Sequence, residues 1–207
     1  GWGDLFDHLQ GPAVVLVGYL LMAALLFIGY RIRSVLVVLF VIAEIVPLTI
    51  VQLETLGQEA DPALLVDFLG LTLALITSVI GSIICIYALK YMEEGERRNR
   101  FFAVMLLFLG VMNGAVFSND LLWFFLFWEI TTLCSFLLIG HEGTQEARVS
   151  ARRALEYTLG GGAAMAVGIF LIFWYLGTIA LSDLPGNSLL AGVALIPLGL
   201  MVVAAFT

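Results

Sequence analysis

The sequence predicts an all-α membrane protein of about seven transmembrane helices with its N-terminus outside, and three observations carry that prediction. Of its 207 residues, 62% are apolar and 12% are charged, and mean hydropathy is +1.09. A soluble domain could not hide that much apolar side chain under so few charges. The apolar residues fall into long continuous runs, near the twenty or so residues that a helix needs to cross a hydrocarbon core of about 30 Å. All nine Lys and Arg lie in alternate connections between those runs. Continuous runs, as opposed to alternating ones, select helices over a β-barrel, because lipid leaves backbone groups no other way to be satisfied.

The runs are 12–30, 34–53, 64–90, 101–118, 121–140, 154–180 and 189–207, a single transmembrane domain over 1–207. Residues 1–11 precede them and lack the basic start and apolar core of a signal peptide. Trp2, Leu5, Phe6 and Leu9 fall at i, i+3, i+4 and i+7, the pattern of a short helix lying in the outer interface with Trp2 at headgroup level. Arg31-Ile32-Arg33 separates the first two spans, and Glu54 to Asp61, closed by Pro62, separates the next pair. The charged run Glu93 to Arg100 follows, then Ser118-Asn119-Asp120, His141 to Arg153, and Ser182 to Asn187. Gly1 stands where an initiator Met would, and Thr207 falls inside an apolar run, so the chain reads as a piece of something longer.

Charge sets the orientation. Arg31, Arg33, Lys90, Arg97, Arg98, Arg100, Arg148, Arg152 and Arg153 lie at the first, third and fifth connections. The N-terminus and the even connections carry Asp4, Asp7, Glu54, Glu59, Asp61, Asp120 and Asp183 instead. By the positive-inside rule the odd connections face the cytoplasm. A net charge of −7 without a basic patch argues against nucleic acid as a partner. Two Cys outside CxxC spacing and two distant His argue against a disulfide scaffold, a metal site or an iron–sulfur cluster.

Ionisable residues within spans are the informative ones, since each costs roughly 2.5–3.5 kcal/mol or more at the bilayer centre. Glu129 lies mid-way along the fifth span. A carboxyl at that depth loses the solvation of its charged form, so its protonation depends on the cation or water that reaches it. That is the physical basis of a proton relay, and it is preferred here over a protonated Glu hydrogen-bonded to Thr132 or a neighbouring helix. Glu44 is also mid-span, three residues before Pro47, which frees the carbonyl of Ala43. A kinked, hydrated spot could hold that carboxyl for structural reasons, and this reading is the stronger one for Glu44. Glu156 follows Arg152 by four residues and Arg153 by three, so an intrahelical ion pair at the inner interface is the simpler account, with a cytoplasmic proton entrance as the alternative. Asp67 and Asp120 read as helix caps or as facing outer water.

Gly160, Ala164 and Gly168 give a small-residue spacing that allows close helix approach. Pro197 suggests a kink in the last span, Cys85 and Cys134 read as small apolar residues, and His8 and His141 as solvated. The single Lys, Lys90, lies at a helix end, which excludes a retinal-type Schiff base. No nucleophile–base set, nucleotide site or redox centre is present, so no cofactor and no metal is expected and any electrons must be carried by partner subunits.

From Asp67 onward the sequence resembles the antiporter-like membrane subunits of respiratory complex I, Mrp-type sodium/proton antiporters and energy-converting membrane hydrogenases. The residues that carry the resemblance are Ser118-Asn119-Asp120-Leu121-Leu122 and Phe127-Trp128-Glu129 through Ser135-Phe-Leu-Leu-Ile-Gly140. Phe101-Phe102-Ala103 and Arg152-Arg153-Ala-Leu-Glu156-Tyr157 add to it. The match covers roughly two thirds of the chain, and its wording looks closest to the hydrogenase branch. The resemblance implies that Glu129 is the fifth-helix glutamate of the family's proton-translocation scheme, which pairs it with a lysine in a broken seventh helix. Leu200 to Thr207 looks like the residues just before that lysine. It implies a fold of about fourteen helices in two inverted repeats, of which this chain holds the opening. At the Glu156 position many relatives carry a basic or neutral residue.

The expected function is therefore that of a proton- or sodium-translocating antiporter-like subunit of a redox-driven complex in the inner (cytoplasmic) membrane. Its partners would be other membrane subunits and the lipid bilayer, and its catalytic carboxyl Glu129, with Glu156 and Glu44 secondary. Two rivals stand beside it. One is a non-pumping structural subunit that scaffolds such a complex. The other is an unrelated seven-helix receptor or carrier, against which no cluster of polar side chains is evident within the spans.

Overall fold

The computed structural model describes residues 2–55, 63–92, 95–184 and 195–207, with the side chains of residues 2–13 and 96 outside the description. It is all-helical. The helices are α1 (Trp2–Arg31), α2 (Val35–Thr55), α3 (Phe68–Tyr91), α4 (Glu96–Phe117), α5 (Leu121–Ile139), α6 (Gln145–Leu176) and α7 (Leu195–Ala205). The first six are long and apolar enough to cross a membrane, and α7 is shorter. α6 is the centre of the bundle: α2, α5 and α7 all pack on it, while α1 closes against α2 and α5, and α3 against α4.

Several helices begin or end away from the expected span limits, each for a local chemical reason. α1 is continuous from Trp2, so the helix expected over residues 2–9 runs without a break into the first span. The third helix starts at Phe68, not at residue 64, because Asp67 Oδ1 accepts the Gly70 N–H at 2.6 Å and fixes the start there. α6 begins at Gln145, nine residues before the expected span, with Thr144 Oγ1 accepting the Ala147 N–H at 3.1 Å. The arginine-bearing segment read as a connection is thus helical. A helix of 32 residues is about 48 Å long, so its charged first turns can stand clear of a hydrocarbon core of about 30 Å. α6 stops at Leu176 because Gly177 takes a left-handed conformation (φ 70°), and its N–H reaches the Phe173 carbonyl at 2.8 Å. Pro197 lies in the described part of α7, and the residues that precede Leu195, where a kink at Pro197 would show, lie outside the described residues. The opening of the expected seventh span, 189–194, lies outside the described residues.

The two ends of the bundle are built differently. At one end, three connections are stitched together through Ser118-Asn119-Asp120. Asn119 N–H donates to the Ala63 carbonyl at 2.8 Å, the Asn119 carbonyl accepts from Leu181 N–H at 2.6 Å, and Asn119 Oδ1 accepts from Ser182 N–H at 3.0 Å. Leu65 N–H reaches the Phe117 carbonyl at 2.8 Å, and Leu121 N–H the Ile179 carbonyl at 2.9 Å. Asp120 Oδ1 caps α5 through the N–H groups of Leu122 and Trp123, at 2.7 and 3.1 Å. The opposite end carries the cationic connections. There Ser34 Oγ donates to Glu156 Oε1 at 2.5 Å, tying the α1–α2 turn to α6. His141 is half-buried against the edge of Phe101, at 5.4 Å between ring centres.

The small residues of α6 do not form one stripe. Gly160 faces Phe40 of α2, where an added Cβ would meet the ring at 3.6 Å. Gly161 and Gly168 face α7, whose backbone oxygens at Ala204 and Pro197 would lie 3.2 and 3.1 Å from such a carbon. Gly162 points elsewhere, into the core.

Asp120→Ala is expected to lower stability by about 0.5–2 kcal/mol by removing the α5 cap, whereas Asp120→Asn keeps most of it. Thermal unfolding of the detergent-solubilised protein checks both.

Candidate functional site

Three helices contribute one buried stripe each to the core, and the site lies where the stripes meet. On α2 the stripe is Val37, Val41, Glu44, Leu48 and Val51; on α6 it is Leu155, Leu159, Gly162, Ala166 and Ile169. Both follow the spacing i, i+4, i+7, i+11 and i+14 of a helix face packed against its neighbour. On α5 the stripe is Leu121, Phe125, Glu129 and Thr132. The α2 and α6 stripes are apolar on either side of their middles, where Glu44 and Gly162 stand, and on α5 Glu129 stands between Phe125 and Thr132.

Glu44 and Glu129 are both fully buried, at 0% exposure. A Cβ added to Gly162 would lie 2.8 Å from Glu44 Oε1 and would overlap Glu129 Oε1. The two carboxyl groups therefore converge on a single point of α6, and the missing side chain of Gly162 is what gives them room. Neither oxygen of either carboxyl has a hydrogen-bond partner among the described residues. Buried polar groups are ordinarily satisfied, and an unmatched one costs about 1–3 kcal/mol, more when charged. Four such oxygens in one place make this the most costly polar cluster in the described core.

Access differs on the two sides of the pair. A cavity of about 30 Å³ reaches Glu129 between α1, α2 and α5, bordered by Tyr19, Thr49, Gln52 and Leu122. That is room for a water molecule or two. Tyr19 and Thr49 share a hydrogen bond of 2.8 Å on its wall. Toward the cationic end, Val37, Val41, Leu155 and Leu159 are at most 1% exposed and form a dry layer. Glu129 thus borders the cavity, and Glu44 is not among the residues that line it.

Of the residues singled out from sequence, the structure brings Glu129 and Glu44 together and leaves Glu156 apart. The expectation that no polar cluster converges within the spans does not hold, because the two glutamates meet across α6. Glu44 makes no hydrogen bond within its own helix, and Pro47 is buried in an unbroken α2. Glu156 lies six residues before Gly162, about 9 Å along the axis, at the cationic end. It accepts from Arg152 Nε at 2.9 Å, the intrahelical pair its spacing suggested, and from Ser34, which the sequence did not suggest. Gly162 is not among the residues that the sequence singles out. Its register with Glu44 in the matching five-residue patterns is the signal that could have singled it out. Among the described residues no group of three His, Cys, Asp or Glu could hold a metal ion. Cys134 is buried and Cys85 partly so.

Known proteins similar to this chain can be named for two of its segments. Residues 118–207 match the family model for the transmembrane region of NADH:quinone oxidoreductase and Mrp antiporter subunits. Residues 55–102 match that for the N-terminus of chain 5 of NADH-ubiquinone oxidoreductase, complex I. The chain is 37% identical over 117 residues to the Na(+)/H(+) antiporter subunit A1 of Staphylococcus aureus, in strains JH9, Newman and USA300 alike. That alignment covers 56% of this chain but 14% of the relative. The first matched segment takes in the stitched Ser118-Asn119-Asp120 connection, the α5 glutamate and the α6 glycines, and the second takes in α3 and the start of α4. Over residues 55–102 and 118–207 the chain is thus similar to the antiporter-like membrane subunits of complex I and the Mrp antiporters.

Proposed function

We propose that this chain supplies a proton- or sodium-translocating element to a multi-subunit, redox-driven complex of the complex I or energy-converting hydrogenase type, in the inner (cytoplasmic) membrane. Glu129 is the carboxyl that loads and releases the ion. The observation that carries the reading is a fully buried, unpartnered carboxyl bordering a small cavity on one side and a dry apolar layer on the other. A group so placed exchanges with water from one face at a time, which is what coupled transport requires. Similarity to a Na(+)/H(+) antiporter subunit over 117 residues supports the same reading.

The work is electrical. Moving one elementary charge against the membrane potential takes about 2.3 kcal/mol per 100 mV. A carboxyl cannot supply that alone, so a cation must approach and leave it under the control of neighbouring subunits. The last turn of α7 packs at Gly161, beside Gly162, so a cation carried at that end of α7 would stand next to the carboxyls. Glu156, already matched by Arg152 and Ser34, suits a secondary role at the cationic end. The rival reading, a scaffold that moves no ion, needs no unpartnered acid in the core.

Glu129→Gln in the assembled complex is expected to reduce coupled ion movement, followed with a pH-sensitive dye in membrane vesicles, to background while leaving assembly intact. Unchanged transport would favour the scaffold. Gly162→Ala is expected to drive a methyl group between the carboxyls. The strain costs about 1–3 kcal/mol of stability, and transport falls several-fold. Gly110→Ala, where an added Cβ meets nothing within 4 Å, is the matched control and should change neither.

A further inference from the structure

Glu44 has no place in the relay just described, yet it is as buried as Glu129 and as free of partners. Both carboxyls face Gly162, from α2 and from α5. The other groups on the surrounding helices leave the two to each other. On α1, Tyr19 borders the cavity but is engaged with Thr49. On α2, Gln52 lies two turns beyond Glu44 and is neutral. Within α5 the other titratable side chain is Cys134. On α6, Glu156 is held by Arg152 and Ser34, and Arg153 stands nine residues before Gly162, about 13 Å along the axis. α7 carries no titratable side chain between Leu195 and Ala205.

Two carboxylates this close in apolar surroundings cannot both carry charge, because each disfavours ionisation of the other. They can hold one proton between them: one carboxyl keeps the O–H and donates it to an oxygen of the other, and the pair bears one negative charge. We propose that Glu44 and Glu129 form such a carboxyl pair, and that the proton shared between them, not one bound to Glu129 alone, is the species loaded and released. The proposal rests on the reading of Glu129 given above. It assigns the members different tasks. Glu129 exchanges protons with water in the cavity, and Glu44, which is not among the residues lining that cavity, receives the proton across Gly162. The transfer is balanced, since one O–H bond breaks on Glu129 as one forms on Glu44 and the negative charge moves the other way.

The test is a pH titration of carboxyl C=O stretching bands by infrared difference spectroscopy on the assembled membrane complex, in wild type, Glu44→Gln, Glu44→Asp and Glu129→Gln, with transport measured on the same preparations. Wild type is expected to titrate in two steps separated by more than about one pH unit, as strongly interacting groups do. Glu44→Gln and Glu129→Gln should each leave one step lying between them, and Glu44→Asp, which keeps a carboxyl at the position, should restore two. A Glu129 band that titrates at the same pH with and without Glu44→Gln overturns the pair. If Glu129→Gln also abolishes transport, the single-residue relay stands without it. Coupled titration together with undiminished transport in Glu129→Gln upholds the pair and overturns the translocation reading instead.

Discussion

The bundle is organised around a conflict that lipid makes severe: acidic side chains belong in water, and this fold buries two of them in its core. An unmatched buried polar group costs free energy that the apolar packing around it has to offset. In this protein three helices concentrate that cost at one level. Glu44 and Glu129 replace apolar residues in otherwise regular buried stripes, and Gly162 gives up its side chain to admit them. Without the glycine the carboxyls could not meet; without the carboxyls nothing in the α2–α6 contact calls for a glycine at that register.

The rest of the fold keeps this arrangement in place and makes its two sides unequal. The stitching of the connections through Asn119 and the Asp120 cap fix where α5 begins, and with it the depth of Glu129 two turns further on. Gly161 and Gly168 let α7 lie close along α6, so that the end of α7 sits beside the site. Val37, Val41, Leu155 and Leu159 close the route toward the arginines, while the small cavity leaves Glu129 within reach of the other end.

Much of this was legible in the sequence. The apolar runs gave the helices, because a segment in lipid has few alternatives to an α-helix. Glu129 stood out for the same reason that it is unusual, a carboxyl in the middle of an apolar span. The boundaries were harder to read. Asp67, Thr144 and Gly177 decide where α3 and α6 begin and end through single hydrogen bonds or one backbone conformation, and hydropathy does not register these. The meeting of Glu44 with Glu129 was not legible. It depends on which face of α2 turns toward α5 across α6, a tertiary fact that Pro47 obscured by offering a local explanation for Glu44. The identical spacing of the α2 and α6 stripes was present in the sequence, but pairing them needs the packing.

The central claim is that Glu44 and Glu129 face one another at Gly162, with water reaching Glu129 from one side. A cryo-electron microscopy map of the complete membrane assembly, sharp enough to show carboxyl groups and ordered water, tests it most directly. The account predicts density for the two carboxyls converging on Gly162 and a water molecule in the cavity beside Tyr19 and Thr49. A Glu44 side chain turned toward lipid, or the two carboxyls separated by an intervening apolar side chain, would contradict it.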